Sequence, residues 1–287
     1  MSINIFVIAG PTASGKSAKA LELARKHNGV IINCDSLQIY DGLHILTAHP
    51  SKEEQEEIPH LLYGALHPNE VCSAGNWREI VEPIITRTIE NGQTPIICGG
   101  TGLYIKALME GLSPMPDIPD EVRDRVVAKY ESIGADAFYA ELMTRDPIMA
   151  DRFHANHKAR IIRAMEVLEA TGKCLAEWQE LPRAAPPSHW NFELHKVLPE
   201  REILYDRCNR RFEWMLEHGA LDEVIAFDKR LTSGEVNEGV PLCKALGFKE
   251  LRAYLNNEMT LQDAITKAQT ITRNYAKRQM TWLRNQL

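Results

Sequence analysis

Residues 10–17 read Gly10-Pro11-Thr12-Ala13-Ser14-Gly15-Lys16-Ser17. The stretch fits the pattern G-x-x-x-x-G-K-[S/T], and its surroundings fit too. Before it, Ile3–Ala9 is a short apolar run rich in β-branched residues, which reads as a buried strand. After it, Ala20, Leu21, Leu23 and Ala24 fall at helical spacing between Lys16 and His27, and Asn28-Gly29 stops them. A glycine-rich turn between strand and helix lets backbone N–H groups wrap a di- or triphosphate, and the helix N-terminus adds the positive end of its dipole. Lys16 then neutralises terminal phosphate charge, and the Ser17 hydroxyl is placed to coordinate Mg²⁺. The pattern specifies phosphates, not hydrolysis.

Outward from this loop, Val30–Cys34 reads as a second strand. Ser73 is a candidate cap for a helix through Trp77, Ile80, Val81, Ile84 and Ile85, stopped by Asn91-Gly92. Pro95–Cys98 reads as a third strand, ended by Gly99-Gly100. Alternating strands and helices imply an α/β class: a P-loop NTPase-like parallel sheet flanked by helices on both faces. Residues 111–120 and 182–190 are proline-rich and read as linkers, with helices only between them. His195–Leu198 reads as a returning strand, and the remainder as helical. The expected architecture is a core of residues 1–112 and 190–287, with a helical insertion domain at 113–189.

A chain of 287 residues implies one or two domains and buries about three quarters of its unfolded surface. Hydrophobic residues make up 44% and charged residues 25%, which excludes disorder, collagen and coiled coil. The net charge of −6 argues against a generic nucleic-acid binder, whose affinity rests on Lys and Arg. Six dispersed cysteines form no CxxC pair, so free thiols in a reducing compartment are expected. The first residues lack a basic n-region with a long apolar stretch, and no run of 18 apolar residues occurs. A cytoplasmic protein that does not enter the membrane is the expectation.

The third strand ends in glycines, where an NTPase usually carries an Asp for Mg²⁺. That favours group transfer to or from a phosphorylated substrate over a motor or switch. Asp35-Ser36-Leu37-Gln38 follows the second strand, so Asp35 faces the same crevice as the loop. A carboxylate there can bind metal, accept a proton from a nucleophile, or cap the next turn. Arg160 and Arg163 share one face of an amphipathic helix opposite Ile161, Met165 and Leu168. Such arginines form a solvated face or contact phosphates. In Thr260–Leu287 no acidic residue follows Asp263, and Arg273, Lys277 and Arg284 share a face. For Trp282 core packing is favoured over base stacking. The dispersed histidines lack ligand spacing, and Glu53–Glu57 reads as a solvated helical face.

The motifs, in their order, resemble the tRNA dimethylallyltransferase (tRNA isopentenyltransferase) family. The resemblance rests on Gly10–Ser17, Asp35-Ser-Leu-Gln38-Ile-Tyr40, Gly99-Gly-Thr101-Gly-Leu-Tyr104, Arg160-Ile-Ile-Arg163-Ala-Met-Glu-Val167, Leu246-Gly-Phe-Lys-Glu250 and Ala276-Lys-Arg-Gln-Met-Thr-Trp282. These span nearly the whole chain. The resemblance implies transfer of a dimethylallyl group from its pyrophosphate to N6 of an adenosine beside the tRNA anticodon, with Mg²⁺ as cofactor. It implies that the P-loop holds the pyrophosphate and that Asp35, Lys16 and Thr101 form the catalytic set, with Asp35 the general base. Ser36 and Gln38 would help hold the flipped-out adenine, and Leu37 between them would contact the tRNA. Thr101, Arg123, the segment Ala159-Arg160-Ile161-Ile162-Arg163, and Lys244, Gly247 and Phe248 match tRNA-contacting positions. Arg273, Lys277 and Arg278 would add local positive charge for the anticodon stem-loop of a tRNA that meets a monomer.

The chemistry agrees with these residues. An exocyclic adenine N6 becomes acidic once alkylated, so a carboxylate of ordinary basicity can take its proton late. Negative charge builds on the departing pyrophosphate, where cations are best placed. The target base must leave its stack. The sequence departs from the family pattern at Leu46, where Gly is common, at His49, where Lys is common, and at Ala159, where Gln is frequent. A small-molecule P-loop kinase is the alternative, since such kinases also pair the loop with an Asp after the second strand. An RNA-binding regulator with a vestigial loop is the non-enzymatic rival.

Overall fold

The alternation of Ile5 and Val7 with Phe6 and Ile8 decides how the first strand is used. In the computed structural model, which describes residues 3–287, strand β1 (Ile3–Ala9) presents these two sets to opposite faces. Ile5 and Val7 pack with Trp77, Val81 and Ile85, whereas Phe6 and Ile8 pack with Leu21, Leu23 and Ala24. Both sets are buried, as expected of a parallel strand covered on both sides.

The first unit comprises residues up to Met109 together with Pro187–Leu287. After β1 come α1 (Lys16–His27), β2 (Gly29–Asn33), α2 (Lys52–Glu57), β3 (His60–Leu61), α3 (Ala74–Glu90), β4 (Thr94–Gly99) and α4 (Gly102–Glu110). The second unit, Glu110–Pro186, holds α5 (Asp120–Arg145), α6 (Pro147–Arg152), α7 (Lys158–Thr171) and α8 (Leu175–Glu180). The chain then adds β5 (Trp190–Lys196), α9 (Arg201–Glu217), α10 (Ala220–Thr232), a 3₁₀ turn (Pro241–Lys244), α11 (Phe248–Leu255) and α12 (Leu261–Gln286) to the first unit.

The sheet order is β3-β2-β4-β1-β5, and every pairing is parallel. Helix α1 begins and ends where its sequence signals put it, and α3 starts from a capping box between Ser73 and Asn76. Strand β5 begins five residues before the expected His195 and pairs with β1 along its whole length, from Ile3 opposite Trp190 to Ala9 opposite Lys196. Its Trp190, Phe192 and Leu194 alternate with Asn191, Glu193 and His195, the pattern of an edge strand. The adjoining prolines and this half-polar pattern mask it in the sequence. Strand β3, only two residues long, carries no periodic signal.

In the second unit Val126, Phe138, Leu142, Met149, Ile161 and Met165 form a separate core. Gly134, at φ 80° and ψ 168°, is non-helical and kinks α5 into two helical segments, a backbone value that Gly adopts without strain. An antiparallel bridge between Leu112 and Ala184 joins the two ends of this unit. The six cysteines are free thiols. Among the described residues no helix is long and apolar enough to cross a membrane.

Candidate active site

Gly15 opens α1 in the left-handed region, at φ 94°, and Ala13 adopts φ 61°, so the loop curls back over β1. A Cβ on Gly10 would meet the Ser14 side chain, so glycine lets the loop close on itself. The Ser14 N–H donates to the Pro11 carbonyl at 3.2 Å. The Ser14 hydroxyl is buried, with no hydrogen-bond partner among the described residues, and so is an orphaned polar atom inside the loop. Lys16 extends its ammonium back towards the Pro11 carbonyl at 3.4 Å. Burial holds its pKa below the ordinary lysine value, while Cys98 and Asp35 pull it back up. Ser17 lies at the exposed start of α1.

Two helices distant in sequence complete the loop. From α9, Arg207 Nη1 donates to the Ser14 carbonyl at 3.0 Å, and the Arg211 guanidinium donates to the Thr12 hydroxyl. Burial lowers the Arg211 pKa, opposed by Cys208 and Asp35. From α12, Gln279 accepts the Thr12 N–H at 2.9 Å and donates to the Gly100 carbonyl at 3.0 Å. The sequence reading missed all three. Arg207 and Arg211 carried a usable signal, since they stand at i, i+4 beside the buried stripe Leu204, Cys208, Phe212 and Met215. Gln279 lies in the Ala276–Trp282 motif without an evident role in the sequence alone.

Asp35 follows β2 at the carboxyl end of the sheet. One oxygen, Oδ1, accepts the Leu37 N–H at 3.0 Å, so the residue caps its own turn and still has Oδ2. The buried Asn33 accepts the Asp35 N–H at 2.9 Å and donates to the Leu62 carbonyl at 3.0 Å, fixing the turn from below. Thr101, after β4, accepts the Ser36 N–H at 2.9 Å through its Oγ1. A Cβ on Gly99 would strike the Cys34 backbone, and one on Gly102 the Trp282 ring, so the glycine turn lets these segments touch. Trp282 therefore packs against α4. Gln38 donates both amide hydrogens inward, to the carbonyls of Thr47 at 2.8 Å and Ala48 at 2.7 Å.

A pocket of about 400 Å³ is lined by Thr12, Asp35, Ser36 and Arg211 and by the apolar Leu37, Leu46, Phe212, Met215, Leu246 and Ile271. Tyr275 and Arg278 also line it, with the guanidinium 5.7 Å from the Tyr275 ring. Burial, then the charge of Asp35, pushes the Tyr275 phenol up to about 12, so it stays neutral. A helix rises 1.5 Å per residue, so Ile271 lies about 12 Å along α12 from Gln279. The pocket thus combines charged and polar groups with apolar ones.

The remaining sequence candidates divide. Lys244 is exposed and lines the same pocket, and Gly247 opens α11 at φ 93°. Phe248 is buried edge-on against Phe227, 5.5 Å between centroids, so its side chain serves the core. Arg273 turns to α9, donating to Asn209 Oδ1 at 2.6 Å, while Lys277 stays exposed. In the second unit Arg123, Ala159 and Arg160 are exposed, Arg163 pairs with Glu166 at 3.2 Å, and Ile161 and Ile162 are buried in that unit's core.

The residues fit a magnesium ion carried by substrate phosphates. The donor at hand is the Ser17 hydroxyl at the start of α1, a hard oxygen of the kind magnesium takes. Among the described residues no group of three or more His, Cys, Asp or Glu stands together.

A family model described as IPP transferase matches residues 38–286. A tRNA dimethylallyltransferase of Rhodospirillum centenum is 45% identical over 283 residues, covering 99% of this chain and 89% of that protein. One of Paramagnetospirillum magneticum is 47% identical, covering 98% and 88%. The full-length tRNA isopentenylpyrophosphate transferase of Bacillus halodurans superposes with a TM-score of 0.68 at 33% identity, over 100% of this chain and 88% of that one. A eukaryotic dimethylallyltransferase acting on tRNA gives 0.83 at 29% identity, over 98% and 70%. With its phosphate loop, its Asp35 turn and a match spanning nearly the whole chain, this protein belongs to the IPP transferase family.

Proposed function

We propose that the protein transfers a dimethylallyl group from dimethylallyl pyrophosphate to N6 of an adenosine beside the anticodon of tRNA, releasing pyrophosphate. The observation that carries this reading is that Thr12 of the P-loop, Asp35 and Arg211 line one pocket together with the apolar Leu46, Phe212, Met215, Leu246 and Ile271. The loop amides, Lys16 and Arg211 bind the pyrophosphate, and Arg207 holds the loop in shape through the Ser14 carbonyl. The apolar side takes the prenyl chain and excludes water from the allylic carbon. The adenine nitrogen forms the new C–N bond as the C–O bond to pyrophosphate breaks. Asp35, through the oxygen its turn leaves free, takes the N6 proton. Bound magnesium, held by Ser17 and the substrate phosphates, would supply further positive charge to the leaving group.

Leu37 and Gln38 shape the turn beside the base, and the exposed Arg123, Arg160, Lys244, Lys277 and Arg278 are the cations available to tRNA phosphates. The protein acts in the cytoplasm as a monomer. Nothing in the comparisons favours the kinase alternative.

The test incubates the protein with unmodified tRNA and labelled dimethylallyl pyrophosphate, and in parallel with ATP and small alcohols. The tRNA should gain the mass of one five-carbon unit on adenosine. Asp35→Asn should lower turnover by about 10²–10⁴ while retaining tRNA binding. Label appearing only in a phosphorylated alcohol would sink the reading.

A further inference from the structure

Residues 43–49 form a compact turn whose two ends are held by different parts of the first unit. The Thr47 N–H donates to the Leu43 carbonyl at 3.0 Å, the Ala48 N–H to Ile45 at 2.9 Å, and the His49 N–H to His44 at 2.8 Å. At its leading end the N–H groups of Ile45 and Leu46 have no acceptor within the turn. Glu223, in the first turn of α10, supplies one. Its carboxylate accepts Ile45 N–H at 2.9 and 3.1 Å and Leu46 N–H at 3.0 Å. At the trailing end the Thr47 and Ala48 carbonyls accept both hydrogens of the Gln38 amide. Two carbonyl acceptors leave no doubt which way that amide faces: NH₂ towards the turn, Oε1 away from it.

We propose that Glu223 is a positioning residue for Gln38 and for the pocket wall made by Leu46 and Thr47. The physical logic is that of a helix terminus. Consecutive N–H groups at the start of a turn carry partial positive charge, and an anion satisfies them better than a neutral acceptor. With that end fixed, the turn's carbonyls stand where only a Gln38 amide of one orientation fits. Gln38 follows Asp35 by three residues, and Leu46 and Thr47 line the same pocket as Asp35. A loose turn would blur the side that receives the base while leaving the P-loop intact, because the hydrogen bonds Glu223 makes go to the backbone of Ile45 and Leu46 and not to the loop. The inference rests on the transferase reading.

The test is a double-mutant cycle on Glu223→Gln and Gln38→Ala, with wild-type protein alongside. The Gln side chain has the same shape but sets an NH₂ group against two N–H donors. Glu223→Gln should raise KM for tRNA by roughly tenfold and lower kcat, while KM for dimethylallyl pyrophosphate stays within about twofold. Added to Gln38→Ala it should cost little more, because both act through one turn. Losses that simply multiply, or equal losses towards both substrates, overturn the role of Glu223. If Glu223→Gln does not fold, the cycle is run with Glu223→Asp, which keeps the charge but not the reach and should give an intermediate KM for tRNA. A wild type that never prenylates tRNA overturns the underlying reading instead, and the proposal with it.

Discussion

Thr101 Oγ1 accepts the Ser36 N–H at 2.9 Å and lies 3.3 Å from the Ser36 hydroxyl, so the turn after β4 holds the turn after β2. The sequence resemblance gave Thr101 a catalytic and RNA-contacting role. The geometry gives it a bond that shapes the loop next to Asp35. Thr101→Val keeps the volume and removes the acceptor, leaving the half-buried Ser36 N–H unpaired at about 1–3 kcal/mol. Its urea midpoint and kcat should both fall, and Thr101→Ser should restore both. Loss of kcat with unchanged stability in Thr101→Val would assign the hydroxyl to substrate instead.

Gln279 joins the P-loop to the Gly99-Gly100 turn through one amide, and it is buried. Gln279→Leu leaves the Thr12 N–H and the Gly100 carbonyl both unpaired, at about 1–3 kcal/mol for each buried group. Stability should drop accordingly, and KM for dimethylallyl pyrophosphate should rise more than KM for tRNA. Equal rises in both would show that Gln279 does not act on the phosphate loop in particular.

Arg211 reaches the P-loop through the Thr12 hydroxyl and lines the pocket. Removing one charge-assisted bond to phosphate forfeits about 1.5–3 kcal/mol, or about ten- to a hundredfold in KM for the pyrophosphate donor. Arg211→Lys keeps the charge without the forked geometry and should recover part of it. Steady-state kinetics in dimethylallyl pyrophosphate decide this; an unaltered KM and kcat in Arg211→Ala would remove the residue from the site.

His49 stacks on His44 with 4.5 Å between centroids, and its Nε2 is buried without a partner among the described residues. Burial first, then the neighbouring His44, lowers its pKa from 6.5 to about 3. Between those values the unfolded chain binds a proton there that the folded chain refuses. Stability therefore falls as pH drops from about 6.5 towards 3. His49→Gln removes this titration, so its urea midpoint should decline less between pH 7 and pH 5 than that of the wild type. Identical declines would show that His49 does not titrate in this way.

The parts of fold and site that were legible in the sequence are those set by local rules. The P-loop needs Gly10, Gly15, Lys16 and a helix start within eight residues, and these stand together. Helix α1 has its periodicity and its stop. Asp35 was placed by its position just past β2, although whether it caps or catalyses needed coordinates, which show one oxygen capping. The rest depends on contacts between distant segments. Arg207, Arg211, Gln279 and Glu223 acquire meaning only when α9, α10 and α12 lie against residues 12–14, 100 and 45–46. Phe248 and Ile161 sit in motifs that suggest RNA, yet their side chains are apolar and the two cores claim them. The half-polar alternation of strand β5 belongs to a sheet edge, which only pairing with β1 reveals.

The bond between Thr12 and Gln279 spans 267 positions of the chain. A ribosome adding about 5–20 residues per second makes the phosphate loop between roughly a quarter of a minute and a minute before the side chain that braces it. Strand β5, the edge partner of β1, also arrives only after the whole second unit has been made. The nascent loop therefore spends that interval without its brace, and the substrate pocket matures as one of the last events of folding. Non-local closure of this kind slows folding relative to helices that pair with their neighbours.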